Sequence, residues 1–166
     1  MQRVEVMKIY HGSIEKVETP EIRKSNRTLD YGQGFYTTTS YEQAEAWVRR
    51  RMNEKRTSRG YVCVYELNKA ALESLNRLIF EQPTEEWVDF VMKNRTQKGY
   101  VHEYDIVYGP VANDRVYAAF ALYEGGLINK QALIAELKVY KLVDQYLFHT
   151  EKALQALTFI EAKEVE

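Results

Sequence analysis

The spacing of apolar and polar residues predicts short strands interspersed with amphipathic helices. The predicted strands are a first one ending at Tyr10 before a turn at Gly12, then 35–38, 61–67, 106–108, 144–149 and 157–163. The predicted helices are one capped by Ser40, then 69–77, 84–94, 115–123 and 129–138, and a short one capped by Thr150. This mixture favours one α+β domain over residues 7–163, with residues 1–6 as an N-terminal extension.

Composition narrows the class of protein. The 23 basic and 24 acidic residues nearly cancel, so no general attraction to nucleic acid or to a membrane is expected. Nothing resembles a secretory signal or a membrane span. The single cysteine, Cys63, lies in an apolar run, which indicates a reduced, buried thiol and favours a cytoplasmic protein. With three scattered histidines beside it, no metal site is expected.

Aromatic and basic residues on the predicted helices have structural interpretations. The aromatic side chains at core spacing are Trp47, Trp87, Phe120 and Tyr123. The run of arginines at 49–51 is interpreted as a solvated helix face, with docking of a polyanionic target as the alternative. His149 is interpreted as structural.

Two polar segments punctuate the first strands and suggest a ligand site. In His11-Gly12-Ser13, the imidazole can bond a ribose hydroxyl, the glycine allows close backbone approach, and Ser13 adds a hydroxyl. In the segment 31–36, Gly34 sits in a glycine pair and Tyr36 offers a flat ring for stacking. Taken alone, the first is more often a surface or satisfied core histidine, and the second is more often an ordinary turn into an aromatic strand. Their order in the chain favours a shared site.

These segments resemble those of the ADP-ribosyltransferase superfamily, in particular the poly(ADP-ribose) polymerases. Those enzymes carry His-Gly-Ser after a strand and a Gly-x-Gly-x-Tyr segment before a helix. The segments 29–32 and 108–114 also look like those of a group of small bacterial ADP-ribosyltransferase-like proteins, so the resemblance covers nearly the whole chain. It implies a split β-sheet with flanking helices and NAD as co-substrate. His11 would hold the ribose, Gly12 the nicotinamide amide, and Tyr36 would stack on the nicotinamide.

The third position of the superfamily motif departs from its pattern. Where these enzymes usually carry glutamate at the start of a late strand, this chain has Gln145. Glutamine keeps a hydrogen bond to the ribose, but it supplies no negative charge to a cationic transition state and cannot act as a base. Asp144 is the obvious substitute, yet strand alternation points it to the opposite face. Polymer elongation is therefore not expected.

Two further residues are candidates for the same site. Arg27 could bind a pyrophosphate through its guanidinium group, or be a solvated loop residue. Asp114 is a candidate acid/base or target contact, with a helix N-cap as the alternative.

The sequence thus predicts a mono-ADP-ribosyltransferase acting on an unknown macromolecular acceptor. Proteins of this type and size that the chain resembles are often intracellular toxins or effectors paired with a small neutralising, antitoxin-like protein, so such a partner is expected. Two alternatives stay open: an NAD glycohydrolase, and a non-catalytic module that binds NAD or ADP-ribose.

Overall fold

The computed structural model describes residues 6–22, 33–97, 100–110, 114–139 and 143–166, with side chains omitted for 114–117 and 139. The strands are β1 (Val6–Ser13), β2 (Phe35–Thr37), β3 (Gly60–Asn68), β4 (Arg77–Ile79), β5 (Ile106–Pro110), β6 (Asp144–Phe148) and β7 (Leu157–Val165). The α-helices are α1 (Tyr41–Lys55), α2 (Glu85–Thr96), α3 (Asp114–Glu124), α4 (Lys130–Val139) and α5 (Glu151–Leu154), and a 3-10 helix covers Lys69–Ser74. The predicted α+β class is confirmed.

The strands form two sheets that meet at one point. The first has the order β1-β3-β7 and is antiparallel throughout. The second has the order β2-β6-β5-β4, in which only β4 and β5 are parallel. Among the described residues a single bridge joins them, in which Tyr10 and Thr38 exchange backbone hydrogen bonds of 2.8 and 2.9 Å. Beyond that bridge, β1 and β2 separate.

Three apolar clusters hold these layers together. The first lies between the sheets, where Ile9 and Tyr65 of one sheet meet Phe35 and Phe148 of the other. The second lies under α2, α3 and α4 on the outer face of the four-stranded sheet, around the buried Trp87 and Phe120. The third lies under α1 on the outer face of the three-stranded sheet. The two faces of β1 and β2 therefore belong to different parts of the core.

The predicted helix caps Ser40 and Thr150 are confirmed, and Thr84, predicted as the first residue of a helix, caps α2 in the same way. The Oγ atoms of Ser40, Thr84 and Thr150 accept hydrogen bonds from backbone N–H groups three residues later, which begins α1, α2 and α5. Each cap satisfies an N–H that the first turn of a helix leaves without a partner. These local signals depend only on neighbouring residues, which is why the sequence displays them.

Three expectations about local structure were wrong. The first strand does not turn at Gly12 but continues to Ser13, paired with β3. The helix expected at 69–77 is a short 3-10 helix followed by β4, because Arg77–Ile79 pairs with β5. Trp47 is 45% exposed rather than part of the core, since Ala44 and Val48 take the buried face of α1. Tertiary pairing overrides local propensity in these segments.

Cys63 is a free, fully buried thiol, as predicted. The segment after β1 covers it: Val17 N lies 3.4 Å from the Sγ atom, and the Sγ atom lies 3.8 Å from the Glu15 carbonyl oxygen. Tyr65 anchors the same segment by donating its hydroxyl hydrogen to the Val17 carbonyl. Burial raises the pKa of the Cys63 thiol. In the described part of the chain, no helix is long and apolar enough to cross a membrane.

Candidate functional site

The candidate site lies where β1 and β2 separate. Tyr10 directs its backbone N–H and C=O groups toward β2. Because these groups alternate between the two edges of a strand, those of Gly12 point the same way, into the opening beyond the bridge. The polar backbone of Gly12 thus faces the gap between the two sheets.

His11 crosses this gap. Its Nδ1 atom lies 2.7 Å from the Tyr36 carbonyl oxygen. A carbonyl only accepts, so Nδ1 carries the proton in this contact. The ring stacks on Phe35 with centroids 4.2 Å apart and planes 30° apart. The structure therefore brings together the two segments that the sequence singled out.

The glycines of both segments are required by packing within the chain. A Cβ atom on Gly12 would lie 2.5 Å from the Ala44 carbonyl oxygen of α1. One on Gly34 would lie 2.7 Å from the Phe148 carbonyl oxygen and 2.8 Å from Nδ1 of His149. Real Cβ atoms essentially never approach so closely. Close ligand approach, the reason expected from sequence, is thus not needed to explain either glycine.

Tyr36 and Gln145 lie on the same face of the four-stranded sheet. Tyr36 pairs with Leu147, and Gln145 lies two residues before Leu147 on β6. Diagonal neighbours of this kind have Cβ atoms roughly 7–8 Å apart. The His11 ring lies on the opposite face, with Phe35, so its connection to Tyr36 runs through the backbone carbonyl.

Gln145 places a carboxamide on the same face as Tyr36. The residue is only 8% exposed, and its side chain makes no hydrogen bond within the described parts of the chain. Gln145 is thus available to a ligand on the Tyr36 face.

Asp144, the neighbouring carboxylate, is fully engaged in structure. It lies on the opposite face from Gln145, as strand alternation predicted. One carboxylate oxygen accepts from both the backbone N–H and the hydroxyl of Thr39, and the other accepts from the Tyr108 hydroxyl at 2.8 Å. Burial, followed by this bond, raises the pKa of Tyr108. Asp144 therefore fastens the start of α1 to β5 and does not replace a glutamate at position 145.

His149 holds the glycine segment in place through a hydrogen bond to its backbone. Its Nδ1–H donates to the Gln33 carbonyl at 2.7 Å, and its ring meets that of His102 edge-on at 4.2 Å between centroids. Nε2 is buried with no hydrogen-bond partner. Burial lowers the pKa of His149 to about 4, so its ring is neutral. This agrees with the structural role expected for it.

Trp47 is the residue near the site that the sequence did not reveal. Its Cδ1 atom would lie 3.2 Å from a Cβ on Gly12, so the indole borders the glycine whose backbone faces the gap. At 45% exposure, nearly half of a large apolar side chain is left in solvent. Helical periodicity assigned Trp47 to the core because it cannot distinguish a ring on a flank from one beneath the helix.

The remaining candidates are less informative. Ser13 ends β1, and its hydroxyl accepts a hydrogen bond from the Glu15 N–H at 3.1 Å, so it closes a local turn. Asp114 is the first residue of α3, which places it at a helix N-terminus. Arg27 lies outside the described residues.

Comparison with known proteins adds a family. The family model described as "Protein of unknown function (DUF3990)" matches residues 7–159, nearly the whole chain. The chain belongs to this family. No curated protein and no solved structure matches the chain. The four-stranded sheet and the candidate site fall within the matched region, whereas most of β7 lies beyond its end.

Proposed function

We propose that this protein is an NAD-dependent mono-ADP-ribosyltransferase acting on a macromolecular acceptor. The observation that carries the proposal is the contact of His11 Nδ1 with the Tyr36 carbonyl oxygen across the gap, with Gln145 on the same sheet face as the Tyr36 side chain. The resemblance of these three positions to the His-Tyr-Glu motif of the superfamily supports it. Two sheets that separate beyond one bridge agree with the split sheet of that fold.

The residues around the gap fit the groups of NAD. The backbone of Gly12 offers one donor and one acceptor, which is the pair that a carboxamide such as that of nicotinamide requires. Tyr36 and the exposed indole of Trp47 are aromatic surfaces suited to a flat ring. Nε2 of His11 is an acceptor for a ribose hydroxyl when Nδ1 donates to the Tyr36 carbonyl.

The reaction would exchange one bond to the ribose for another. The bond between ribose C1′ and the nicotinamide nitrogen breaks, nicotinamide leaves with the electron pair, and a nucleophile of the acceptor bonds to C1′ and loses its proton. Gln145 would orient the ribose through a hydrogen bond. Because it is neutral, it cannot accept that proton, and Asp144 is occupied. We therefore propose that the acceptor's nucleophile is activated by a group other than Gln145 or Asp144, and that a single ADP-ribose is transferred.

Nicotinamide release and transfer to macromolecules test this proposal together. The purified protein is incubated with labelled NAD and a cell lysate, alongside His11→Ala and Tyr36→Ala. Label on a macromolecule that both variants lose is the expected result. Nicotinamide and free ADP-ribose without labelled acceptor would indicate a glycohydrolase. NAD binding without nicotinamide release would indicate a binding module, which the neutral Gln145 favours as the second candidate.

Tryptophan fluorescence tests where NAD binds, independently of turnover. The chain has two tryptophans, of which Trp87 is 1% exposed and lies in the helical layer. NAD is expected to quench the emission of Trp47, and Trp47→Phe is expected to abolish the quenching while Trp87→Phe retains it. The reverse pattern would place the ligand against the helical layer, into which Tyr36 also packs, and away from Gly12 and Trp47. We also propose that a small neutralising protein binds this chain. A protein that co-purifies with the chain should then inhibit the transfer of label to macromolecules.

A further inference from the structure

A second cavity opens on the side of the four-stranded sheet that faces the 3-10 helix. It has a volume of about 580 Å³, within the range of small-molecule sites. Its lining residues come from the 3-10 helix and from β4, β5 and β6. Tyr108 and Tyr146 line it on the face opposite Gln145, because strand alternation separates residue 145 from residue 146. The cavity is thus distinct from the candidate site at the gap.

Two tyrosine rings form one wall of this cavity. Tyr108 and Tyr146 are paired across β5 and β6, with centroids 4.5 Å apart and planes tilted by 48°. The Tyr108 hydroxyl is fixed by its bond to Asp144. Ile106 and Ile79 extend the apolar surface beside the rings, since both lie on the Tyr108 face of the sheet. An aromatic wall of fixed orientation next to aliphatic side chains is suited to a planar, partly apolar ring.

The charged side chains that line the cavity form no ion pairs among the described residues. These side chains are Lys69, Glu73, Arg77 and Glu81. Arg77 and Glu81 project to the same side of β4 and its extension, up to about 13 Å apart along the backbone. Phe80, the residue before Glu81, donates its backbone N–H to the Tyr108 carbonyl at 2.8 Å. The carboxylate of Glu81 therefore belongs to the tyrosine end, and Arg77 marks the other end beside Ile106.

We propose that this cavity binds a nucleoside 5′-phosphate. The base would stack on Tyr108 and Tyr146, and an exocyclic amino group would donate to Glu81. The phosphate would bind at the opposite end to Arg77, whose guanidinium group matches phosphate oxygens. This ligand class uses the aromatic wall, the acceptor and the cation at once, whereas a purely apolar ligand would leave the charges unused.

AMP is the first probe, because its base carries an exocyclic amino group. Equilibrium dialysis of labelled AMP, adenosine and UMP is measured with the full chain. AMP is expected to bind, and adenosine, which lacks the phosphate, to bind at least tenfold more weakly. UMP, whose base has no amino group, is expected to bind more weakly than AMP, and Glu81→Gln to reduce that difference.

The variants separate this cavity from the gap. Arg77→Ala is expected to weaken AMP binding at least tenfold and leave adenosine binding unchanged, and Tyr146→Leu to weaken both. Arg59→Ala removes another exposed arginine and is the matched control, expected to change neither. His11→Ala is expected to retain AMP binding. Thermal melts show whether each variant is folded. Because Arg77 is exposed, Arg77→Ala should remain folded, and it still tests the cavity if Tyr146→Leu unfolds.

Three outcomes would overturn the proposal. The first is no binding of AMP at millimolar concentration. The second is AMP binding that survives both Arg77→Ala and Tyr146→Leu. The third is binding lost in His11→Ala but retained in Arg77→Ala, which would place AMP at the gap as a fragment of NAD. Failure here leaves the nicotinamide-release assay unaffected, because Arg77 has no part in the proposed transfer.

Discussion

Replacement of Gly12 by alanine separates packing from ligand contact at the candidate site. The new methyl group would lie 2.5 Å from the Ala44 carbonyl oxygen and 2.8 Å from Cγ2 of Val48. Carbon atoms pack favourably at about 3.5–4.0 Å, so both contacts overlap by roughly 1 Å. The oxygen belongs to the backbone of α1 and cannot rotate away, so the helix as a whole must shift from β1.

The expected loss of stability follows from this overlap. Overpacking a core costs about 1–3 kcal/mol, and a fixed backbone oxygen favours the upper end. Alanine offsets up to about 1 kcal/mol of that by restricting the unfolded chain. The free energy of unfolding should therefore fall by about 2 kcal/mol. For a chain of this length, that corresponds to a decrease in Tm of roughly 4–8 °C.

Thermal melting of Gly12→Ala against Gly125→Ala measures this effect. Gly125 lies at the exposed end of α3, where a Cβ meets its nearest atom at 3.3 Å, and its replacement should change Tm by much less. An unchanged Tm for Gly12→Ala together with lost NAD binding would refute the packing argument. It would restore the interpretation of Gly12 as a ligand contact alone.

Three further predictions concern β6 and its flanks. His149 has a folded pKa of about 4 against 6.5 for an ordinary histidine, so the unfolded chain binds more protons between these values and stability falls as the pH drops through that window. The loss approaches about 3 kcal/mol. Urea titrations at pH 7 and pH 4.5 should show a smaller difference in the free energy of unfolding for His149→Asn than for the unchanged protein. Asp144→Asn places an amide N–H against the donors of Thr39 or Tyr108, and should lower the free energy of urea unfolding by about 1–3 kcal/mol; an unchanged midpoint would contradict it. Gln145→Glu introduces the charge that stabilises a cationic ribose, and should raise nicotinamide release by roughly 10²–10³-fold. No increase from a folded variant would show that residue 145 does not meet the ribose.

Local signals predicted much of the fold, and long-range pairing accounts for what they missed. The caps of α1 and α5 were predicted correctly because a side-chain oxygen and an N–H three residues later are sufficient to define them. Strand β4 was missed because its apolar residues became a strand only by pairing with β5, almost thirty residues later. A sequence does not display such a partner.

The candidate site shows the same division. The sequence indicated His11, Tyr36 and Gln145 as a set, and the contact of His11 with the Tyr36 backbone agrees with that grouping. It did not show that the His11 ring and the Tyr36 ring lie on opposite faces, since this depends on how two sheets meet at one bridge. Nor did it show that Trp47 borders Gly12, which depends on how α1 crosses β1.

The burial of the only cysteine beneath the Glu15–Val17 segment makes this chain its own chemical reporter. A thiol reagent reaches Cys63 only after that segment lifts from β3 or after the whole domain unfolds. When reclosing is faster than reaction, the modification rate divided by that of a free thiol gives the equilibrium constant for opening. Tyr65→Phe removes one anchor of the segment and should speed modification more than it lowers global stability. A colour-forming disulfide reagent would thus read the free energy of one local opening in the intact molecule.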